Sequence, residues 1–499
     1  MNGEVQPLAS ADPDADASQF DNAGTTRREA LHRLWSVVAA CGTASLVPGC
    51  GGGSADGSPP PPPPPPPPSS LTRLQAALQK APLTLTASPV TVTQGSAQSA
   101  QSSFGADAQV YPVLINPPQQ SLATVPQVWG YRRDLWTVHS GSVIAQYAVL
   151  PVSRDHVAAT LGTNGICGLH FLSAGSAFEI LFAGASIQVT LIADGQYMAP
   201  ELIQTTLSAG VVGAPLSAPN SFVRFDFGVS APRQISVYAR STQGPCAVAV
   251  AANDQLQPWD RSGEASFGAI ADSYGGAFAP NWGVSGPFWE AAALLGIPNI
   301  DLDAIGGTGY APENVNDDTR NPGNAFPARL PSNVDANPDL FLTAGSINDD
   351  NSSADPPLYL TSADALSTFN AAVSGYYFAL RAALPDSVLA AVGPWQPKQS
   401  IPANSAEQAK ADTIKAALQA AGGLWVFMDN LNGGWINSSG ASAPADGPWQ
   451  TGTGNIAAPA GDGNGDLYVS ADGVHPTPAG CLYLGTRIAT DLRAAILAL

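Results

Sequence analysis

The stretch that decides the fold is Phe267-Gly-Ala-Ile-Ala271, followed at once by Asp272-Ser273-Tyr274-Gly275. Its first five residues form a short apolar run without polar alternation, which is typical of a strand buried on both faces of a sheet. Four similar runs follow through the C-terminal half of the chain. They are Ile300–Leu302, Leu340–Thr343, Val388–Val392 and Leu424–Met428.

Helical patterns separate most of these runs. Ala406–Ala421 is the clearest, since Ser405 and Gln408 form a capping-box pattern at its start. Strands that alternate with helices predict a parallel sheet covered on both faces, an α/β fold whose sites lie at the carboxyl ends of the strands. The other predicted helices are Phe288–Leu295, Ala363–Leu384 and a last helix that runs from Thr477-Pro478 to about Leu497.

Ser273 comes directly after the first predicted strand, where a nucleophile would be presented. A serine hydroxyl needs a base within hydrogen-bond reach, and the base needs a group that orients it. His475 is the only histidine after His170, and Asp472 precedes it by three residues on the same predicted loop. We therefore predict Ser273 as nucleophile, His475 as general base and Asp472 as the orienting carboxylate. Asp272 is interpreted as structural.

Acyl transfer to a serine also needs hydrogen-bond donors for the oxyanion that develops on the substrate carbonyl. Gly306-Gly307-Thr308-Gly309 follows the second predicted strand, and glycines there let a backbone N–H approach a substrate closely. Asn348 follows the third predicted strand and can offer its side-chain amide. The neighbouring acidic pair Asp349-Asp350 is interpreted as solvated loop charge.

These four segments, in this order and at these strand ends, resemble the sequence blocks of the SGNH (GDSL-type) hydrolase superfamily. Its members are serine esterases and lipases with a flavodoxin-like three-layer α/β/α fold. The resemblance covers roughly residues 264–499 and implies Ser273 as nucleophile, with Asp472 and His475 as the Asp-x-x-His pair. The residues that it implies for the oxyanion hole are Ser273, Gly307 and Asn348.

Two departures from the family pattern bear on the site. Tyr274 stands where the family usually has leucine, and Ala271 where the first block usually has glycine. Ser346 stands where glycine usually comes two residues before the asparagine, so the geometry of the Asn348 loop is the part of the resemblance that needs testing.

Residues 1–50 resemble a twin-arginine export signal that ends in a lipoprotein cleavage site. Arg27-Arg28 precedes a short apolar run, which ends in Val47-Pro-Gly-Cys50. The pattern implies export, and a lipid on Cys50 would tether the chain at a bacterial cell envelope, on its periplasmic face or at the cell surface. The alternative is a plain secretory signal with an incidental cysteine, which gives a secreted protein.

The rest of the chain divides by composition into a linker and two domains. Residues 51–104 are rich in Gly, Pro and Ser and are interpreted as linker, with a short helix at Leu71–Lys80; ten prolines, Pro59–Pro68, predict a semi-rigid spacer of roughly 30 Å. Residues 105–258 predict an all-β sandwich or jelly-roll domain, and 259–499 the α/β domain. The predicted β-strands are Ser142–Val149, Phe178–Phe182, Ser186–Ile192, Phe222–Phe227 and Arg233–Tyr238.

Charge and cysteine content limit which partners and cofactors we expect for this chain. A net charge of −19 excludes a nucleic-acid partner and electrostatic adhesion to anionic lipid, both of which need basic surface. Cys167 and Cys246 both lie in the β-rich region and fit equally well as a disulfide or as two buried thiols. No metal-ligand spacing occurs, so we expect no metal or other cofactor. The loop Asp462–Asp466 lacks the closing glutamate of a calcium loop and is interpreted as a turn.

The leading hypothesis is therefore an exported serine ester hydrolase. O-acetyl esters of carbohydrate are the first candidate substrates, because of the β-domain and four tryptophans in predicted loops, and lipid or short-chain acyl esters are the second. One alternative is an α/β-hydrolase with a nucleophile elbow at Ser273, although that fold places its acid and histidine on separate loops. Another is a non-catalytic surface lipoprotein that binds glycans. The four tryptophans are Trp282, Trp395, Trp435 and Trp449.

Overall fold

The structure is a computed structural model. The residues that it describes are 68–81, 90–96, 103–105, 107–112, 137–139, 147–149, 166–182, 186–197, 203–206, 221–241, 245–257, 259, 263–275, 286–297, 300–311, 322–334, 337–349, 363–395, 405–433, 435, 468–470 and 474–499. Residues 1–50, with Cys50, lie outside them, as do Asp472, Trp282, Trp449 and the loop 462–466. Export, lipidation and the role of Asp472 therefore stay predictions.

The N-terminal part of the described chain is built of antiparallel strands after one helix. Two sheets have the orders β1-β10-β6-β12-β2 and β13-β5-β11-β7-β8, the strand β9 also pairs with β7, and β3 pairs with β4. The elements are α1 (Ser70–Lys80), β1 (Thr91–Ser96), β2 (Gln109–Pro112), β3 (Thr137–His139), β4 (Tyr147–Val149), β5 (Ile166–Ser173), β6 (Ala177–Phe182), β7 (Ser186–Ala193), β8 (Gln196–Tyr197), β9 (Ile203–Thr206), β10 (Ser221–Asp226), β11 (Arg233–Ser241), β12 (Pro245–Val250) and β13 (Leu256–Gln257).

The two larger sheets share one apolar core. Phe171 on β5 and Phe178 on β6 come from different sheets, and their rings meet edge to face with centroids 5.3 Å apart. Alternate side chains of β6, β7, β10, β11 and β12 complete the same cluster, as expected when each sheet turns one face inward. The predicted jelly-roll arrangement stays a prediction.

The predicted parallel sheet is confirmed. Its order is β15-β14-β16-β17-β18, and all neighbouring strands run parallel, which is the 2-1-3-4-5 order of flavodoxin-like folds. The elements are β14 (Phe267–Ala271), α2 (Pro287–Leu294), β15 (Ile300–Ala304), α3 (Phe326–Asn333), β16 (Leu340–Ala344), α4 (Ala363–Ala383), β17 (Val388–Val392), α5 (Ser405–Ala421), β18 (Trp425–Met428) and α6 (Pro478–Ala498).

Helices cover both faces of this sheet. On one face, α2 and α6 pack with side chains such as Ala269 and Leu342; on the other, α3, α4 and α5 pack with side chains such as Ile270 and Phe341. Because neighbouring residues of a strand point to opposite faces, the unbroken apolar runs serve both cores. Cys481 on α6 is buried.

The linker interpretation of residues 51–104 is wrong for two of its segments. Helix α1 buries Leu74 and Leu78 in the same core as α2 and α6, and Gln75 donates a hydrogen bond to the carbonyl of Ile496, at 3.2 Å. Arg73 forms an ion pair with the buried Asp339. Strand β1 forms the edge of the first antiparallel sheet. The stretch is polar in composition, but the leucines of α1, four residues apart, form the face that docks.

The predicted disulfide involves two residues that the structure describes only in part. Cys167 lies on β5 and Cys246 on β12, which belong to different sheets, and their side chains lie outside the description, so the disulfide stays a prediction. Among the described helices, none combines the length and the apolar character that crossing a bilayer requires.

Candidate active site

Ser273 lies in a tight turn at the carboxyl end of β14. The amide of Gly275 donates to the carbonyl of Asp272 at 3.1 Å, and the amide of Tyr274 donates to Oδ1 of Asp272 at 2.9 Å. A Cβ at position 275 would lie 2.6 Å from that of Ala271, so the turn closes only with glycine there. The serine is 5% exposed, which leaves its hydroxyl in a site that excludes most water.

His475 contacts this serine, although it lies near the C-terminal end of the chain. Its Nε2 lies 2.9 Å from Oγ of Ser273, although the two residues are 202 positions apart in the chain. The segment that carries it is fixed by backbone hydrogen bonds, from the amide of Ser470 to the carbonyl of His475 at 2.7 Å and from the amide of Thr477 to the carbonyl of Tyr468 at 2.9 Å. The threonine then caps α6, since its Oγ1 accepts from the amide of Gly480.

Loops on either side of the nucleophile present the predicted oxyanion residues. Strands β15 and β16 flank β14, so Gly307 and Asn348 both follow strands adjacent to that of Ser273. Gly307 has a φ of +73°, a conformation that favours glycine. Nδ2 of Asn348 donates to the carbonyl of Thr308 at 2.9 Å, which joins the two loops and leaves its second N–H for another acceptor.

Asp349 is a structural residue of the site, and its interpretation as solvated loop charge is wrong. It is fully buried rather than solvated, and its two carboxylate oxygens accept from the amides of Tyr310, at 3.2 Å, and Ala311, at 2.9 Å. A Cβ at position 309 would lie 2.5 Å from its Oδ1, so Gly309 permits the approach. Burial raises the pKa of Asp349, and the nearby Lys410 ammonium opposes that rise. The carboxylate thus clamps the loop 305–311 to the loop 345–349.

The loop 345–349 is strained where the family pattern is broken. Ser346 has a φ of +86° and is buried, so a residue with a Cβ occupies a region that favours glycine. Its carbonyl accepts from Nζ of Lys410 at 3.2 Å, and this lysine forms a buried ion pair with Glu407 at 3.1 Å. The surrounding fold therefore holds Asn348 in place despite the departure at position 346.

Asp272 fits the structural interpretation. Its Oδ1 supports the turn of the nucleophile, while its Oδ2 has no hydrogen-bond partner among the described residues. Complete burial raises the pKa of Asp272 to about 7, and the negative charge of Asp349 adds to the rise.

Two of the four tryptophans in predicted loops serve in packing, so they lend no support to a carbohydrate substrate. Trp395 and Trp435 are fully buried rather than exposed, with ring centroids 6.4 Å apart. Trp395 stacks on Tyr274 at 4.6 Å with an interplanar angle of 7°. Neither ring can serve as an exposed platform for a sugar, so neither favours a carbohydrate substrate.

Metal ligation finds no support in the part of the chain that the structure describes. Within it, no group of three or more His, Cys, Asp or Glu side chains converges in a way that could hold a metal ion. His170, one of the histidines in the β-rich region, is buried, and its Nδ1 lies 2.9 Å from Oγ of Ser236.

Comparison with known proteins gives only distant structural similarity. No family model matches the chain, and no curated protein sequence matches it. The chain is similar to a carbohydrate esterase family 2 enzyme with a carbohydrate-binding domain from Corynascus thermopiles (Myceliophthora fergusii), at 16% identity over 70% of this chain and 99% of that one, with a TM-score of 0.40.

Two further structures show similarity of the same order. One is the salicylyl-acyltransferase SsfX3 from a tetracycline biosynthetic pathway, at 14% identity over 79% of this chain and 98% of that one, with a TM-score of 0.44. The other is a family two carbohydrate esterase from Clostridium thermocellum in complex with cellohexaose, at 14% identity over 68% and 93%, with a TM-score of 0.40. Similarity this low assigns no activity to the chain.

Proposed function

We propose that this chain is a serine ester hydrolase that acts on carboxylic esters. The observation that carries the proposal is the 2.9 Å contact between Nε2 of His475 and Oγ of Ser273 at the carboxyl end of a parallel strand. A buried hydroxyl paired with an imidazole is the arrangement that makes serine nucleophilic. Loops with donor groups follow both neighbouring strands, where the carbonyl oxygen of a bound ester would lie.

The proposed reaction has an acylation step and a hydrolysis step. As Oγ of Ser273 attacks the carbonyl carbon, His475 accepts its proton, and the carbonyl oxygen becomes an oxyanion that the amides of Gly307 and Ser273 and Nδ2 of Asn348 stabilise. Collapse of this intermediate breaks the bond to the alcohol oxygen, which takes the proton from His475. Water then attacks the acyl-serine by the same route and releases the acid.

O-acetyl esters of carbohydrate are the proposed substrates, within an exported and lipid-tethered protein. The support for a carbohydrate is the antiparallel β-region that the same chain carries before the α/β region. The support for export and a lipid on Cys50 is the sequence pattern from Arg27-Arg28 to Val47-Pro-Gly-Cys50. The proposed orienting role of Asp472 rests on its place three residues before His475.

The test of ester hydrolysis is turnover of p-nitrophenyl acetate by the full chain. We expect Ser273→Ala and His475→Ala each to lower kcat by at least about 10³-fold, because the two residues act as one unit. Ser266→Ala is the matched control, since it removes a buried serine hydroxyl at the opposite end of β14. An inactive wild type, or a Ser273→Ala variant that keeps its turnover, would show that the proposal is wrong.

The test of the substrate class compares acetate release from an acetylated oligosaccharide with hydrolysis of esters of longer acyl chains. We expect kcat/KM to be higher for the acetylated oligosaccharide. A preference for the longer acyl chains would instead place the chain among lipases.

A further inference from the structure

We propose that Tyr274 is a positioning residue for His475, a role that rests on the proposed function. Tyr274 follows the nucleophile directly, is buried, and donates a hydrogen bond from its hydroxyl to the backbone carbonyl of Val474. Val474 immediately precedes His475. Two consecutive residues of one turn therefore contact the histidine segment, Ser273 through the imidazole and Tyr274 through the backbone.

The direction of the Tyr274 hydroxyl is fixed by the rings behind it. Trp395 stacks on the tyrosine ring almost in parallel, and the ring of Trp435 contacts Trp395 in a tilted arrangement with centroids 6.4 Å apart. Nε1 of Trp435 donates to Asp491 on α6 at 3.3 Å. Because all three rings are buried in one core, the phenol cannot swing away without displacing the stack.

The backbone on both sides of His475 is thereby held. On its C-terminal side, an isolated β-bridge pairs Pro476 with Val469, and the carbonyl of His475 itself accepts from Ser470. On its N-terminal side, the Tyr274 hydroxyl donates to the carbonyl of Val474. The imidazole of His475 is joined to its backbone through a single CH₂ group. A shift of this backbone segment therefore moves Nε2 relative to Oγ of Ser273. A displacement near 1 Å is enough to cost a reaction as much as 10²-fold.

The identity of residue 274 matters for this reason. A leucine, the residue that the resemblance leads one to expect there, fills apolar space but donates no hydrogen bond. A phenylalanine keeps the stack with Trp395 and loses only the donor, which makes Tyr274→Phe the sharpest variant. The carbonyl of Val474 then loses that donor, and the histidine segment is held by fewer contacts.

The experiment compares Tyr274→Phe with Tyr376→Phe in the full chain. Tyr376 is the matched control, because its buried hydroxyl lies 2.9 Å from Oγ1 of Thr343 on the other face of the sheet. On p-nitrophenyl acetate we expect Tyr274→Phe to lower kcat roughly 5- to 50-fold with KM within about twofold of wild type. We expect the control to keep the wild-type kcat even if its Tm falls.

A second readout does not depend on activity. Diethyl pyrocarbonate modifies accessible imidazoles, and peptide mass spectrometry gives the rate at His475 relative to buried His170. We expect a rate at His475 at least about threefold faster in Tyr274→Phe than in wild type, and unchanged in the control. An inactive wild type whose His475 rate still rises in Tyr274→Phe would overturn the proposed function and keep the positioning role. An active wild type with unchanged kcat and unchanged labelling in Tyr274→Phe would overturn the positioning role alone.

Discussion

Replacing Asp349 by asparagine tests whether this buried carboxylate holds the oxyanion loops together. The carboxylate accepts one amide on each oxygen, from Tyr310 and Ala311, whereas an asparagine side chain has one acceptor oxygen and an NH₂ group. One backbone N–H then loses its partner inside the protein. An unsatisfied buried donor costs about 1–3 kcal/mol, and we expect the free energy of unfolding to fall by that amount.

The effect on catalysis follows from the geometry of the same loops. Removal of one complete oxyanion donor lowers kcat by about 10²–10³-fold in serine hydrolases. Asp349→Asn displaces the loop that carries Gly307 without removing a donor, so we expect a fall in kcat of about 10- to 100-fold. KM should change by less than about threefold, because the oxyanion forms only as the reaction proceeds.

Asp339→Asn separates this effect from loss of stability. Asp339 is equally buried and accepts from the amide of Ser266 at 2.9 Å, but it lies at the amino end of β16, away from the active site. Both variants are measured by urea unfolding and by turnover of p-nitrophenyl acetate. If Asp349→Asn loses as much stability as Asp339→Asn and keeps a kcat within twofold of wild type, the clamp reasoning is refuted.

Three further changes test other parts of the structure by urea unfolding. Ser346→Gly removes the backbone strain at a φ of +86°, which is typically worth about 1–3 kcal/mol, but it adds a glycine entropy cost of about 0.5–1 kcal/mol. We therefore expect the free energy of unfolding to rise by about 1 kcal/mol. A fall in this free energy would contradict the assignment of strain to Ser346. Burial raises the pKa of Glu290 from 4.5 to about 8, so between these values the folded chain binds more protons than the unfolded chain and stability falls as pH rises. Glu290→Gln should therefore raise the free energy of unfolding by up to roughly 4 kcal/mol at pH 8 and hardly change it at pH 4. Equal changes at the two pH values would refute the raised pKa of Glu290. Leu78→Ala should cost about 2–5 kcal/mol, whereas a loss below about 0.5 kcal/mol would mean that α1 is not part of the core.

The α/β half was predictable because its signal is local. Strands Phe267–Ala271 and Val388–Val392 have the predicted bounds, since each is an apolar run that is buried on both faces and bordered by polar residues or glycine. The contact of His475 with Ser273 could be anticipated because a parallel sheet gathers the ends of its strands and few residue types can serve as a base. Helix α1 was harder to place. Its leucines are buried in a core that includes α6, which lies about 400 residues further along the chain.

The burial of Asp349 and of Trp395 is not visible in the sequence, for the same physical reason. Asp349 was interpreted as solvated because it stands in polar sequence, and the loop position of Trp395 does not show that its ring is buried. What buries them comes from elsewhere in the chain: the amides of Tyr310 and Ala311 for the aspartate, and the ring of Tyr274 for the tryptophan. Side-chain burial in a loop depends on such distant partners, and the local amino-acid composition does not indicate them.

The buried polar and strained residues of the α/β domain that are discussed above lie around the oxyanion loops and the nucleophile, and this has a physical reason. Three residues of this region each oppose folding: the strained Ser346, the buried Lys410, and Asp272, whose pKa is raised to about 7. Selection for stability alone would therefore remove them. Acyl transfer needs donors that are already aimed before charge develops, in a site that excludes water. Fixing such donors requires buried polar contacts at the ends of three adjacent strands, and the rest of the sheet, with its apolar faces, supplies the stability that tolerates them. Local rules of sequence therefore fail most often at the place where the chemistry is proposed to occur.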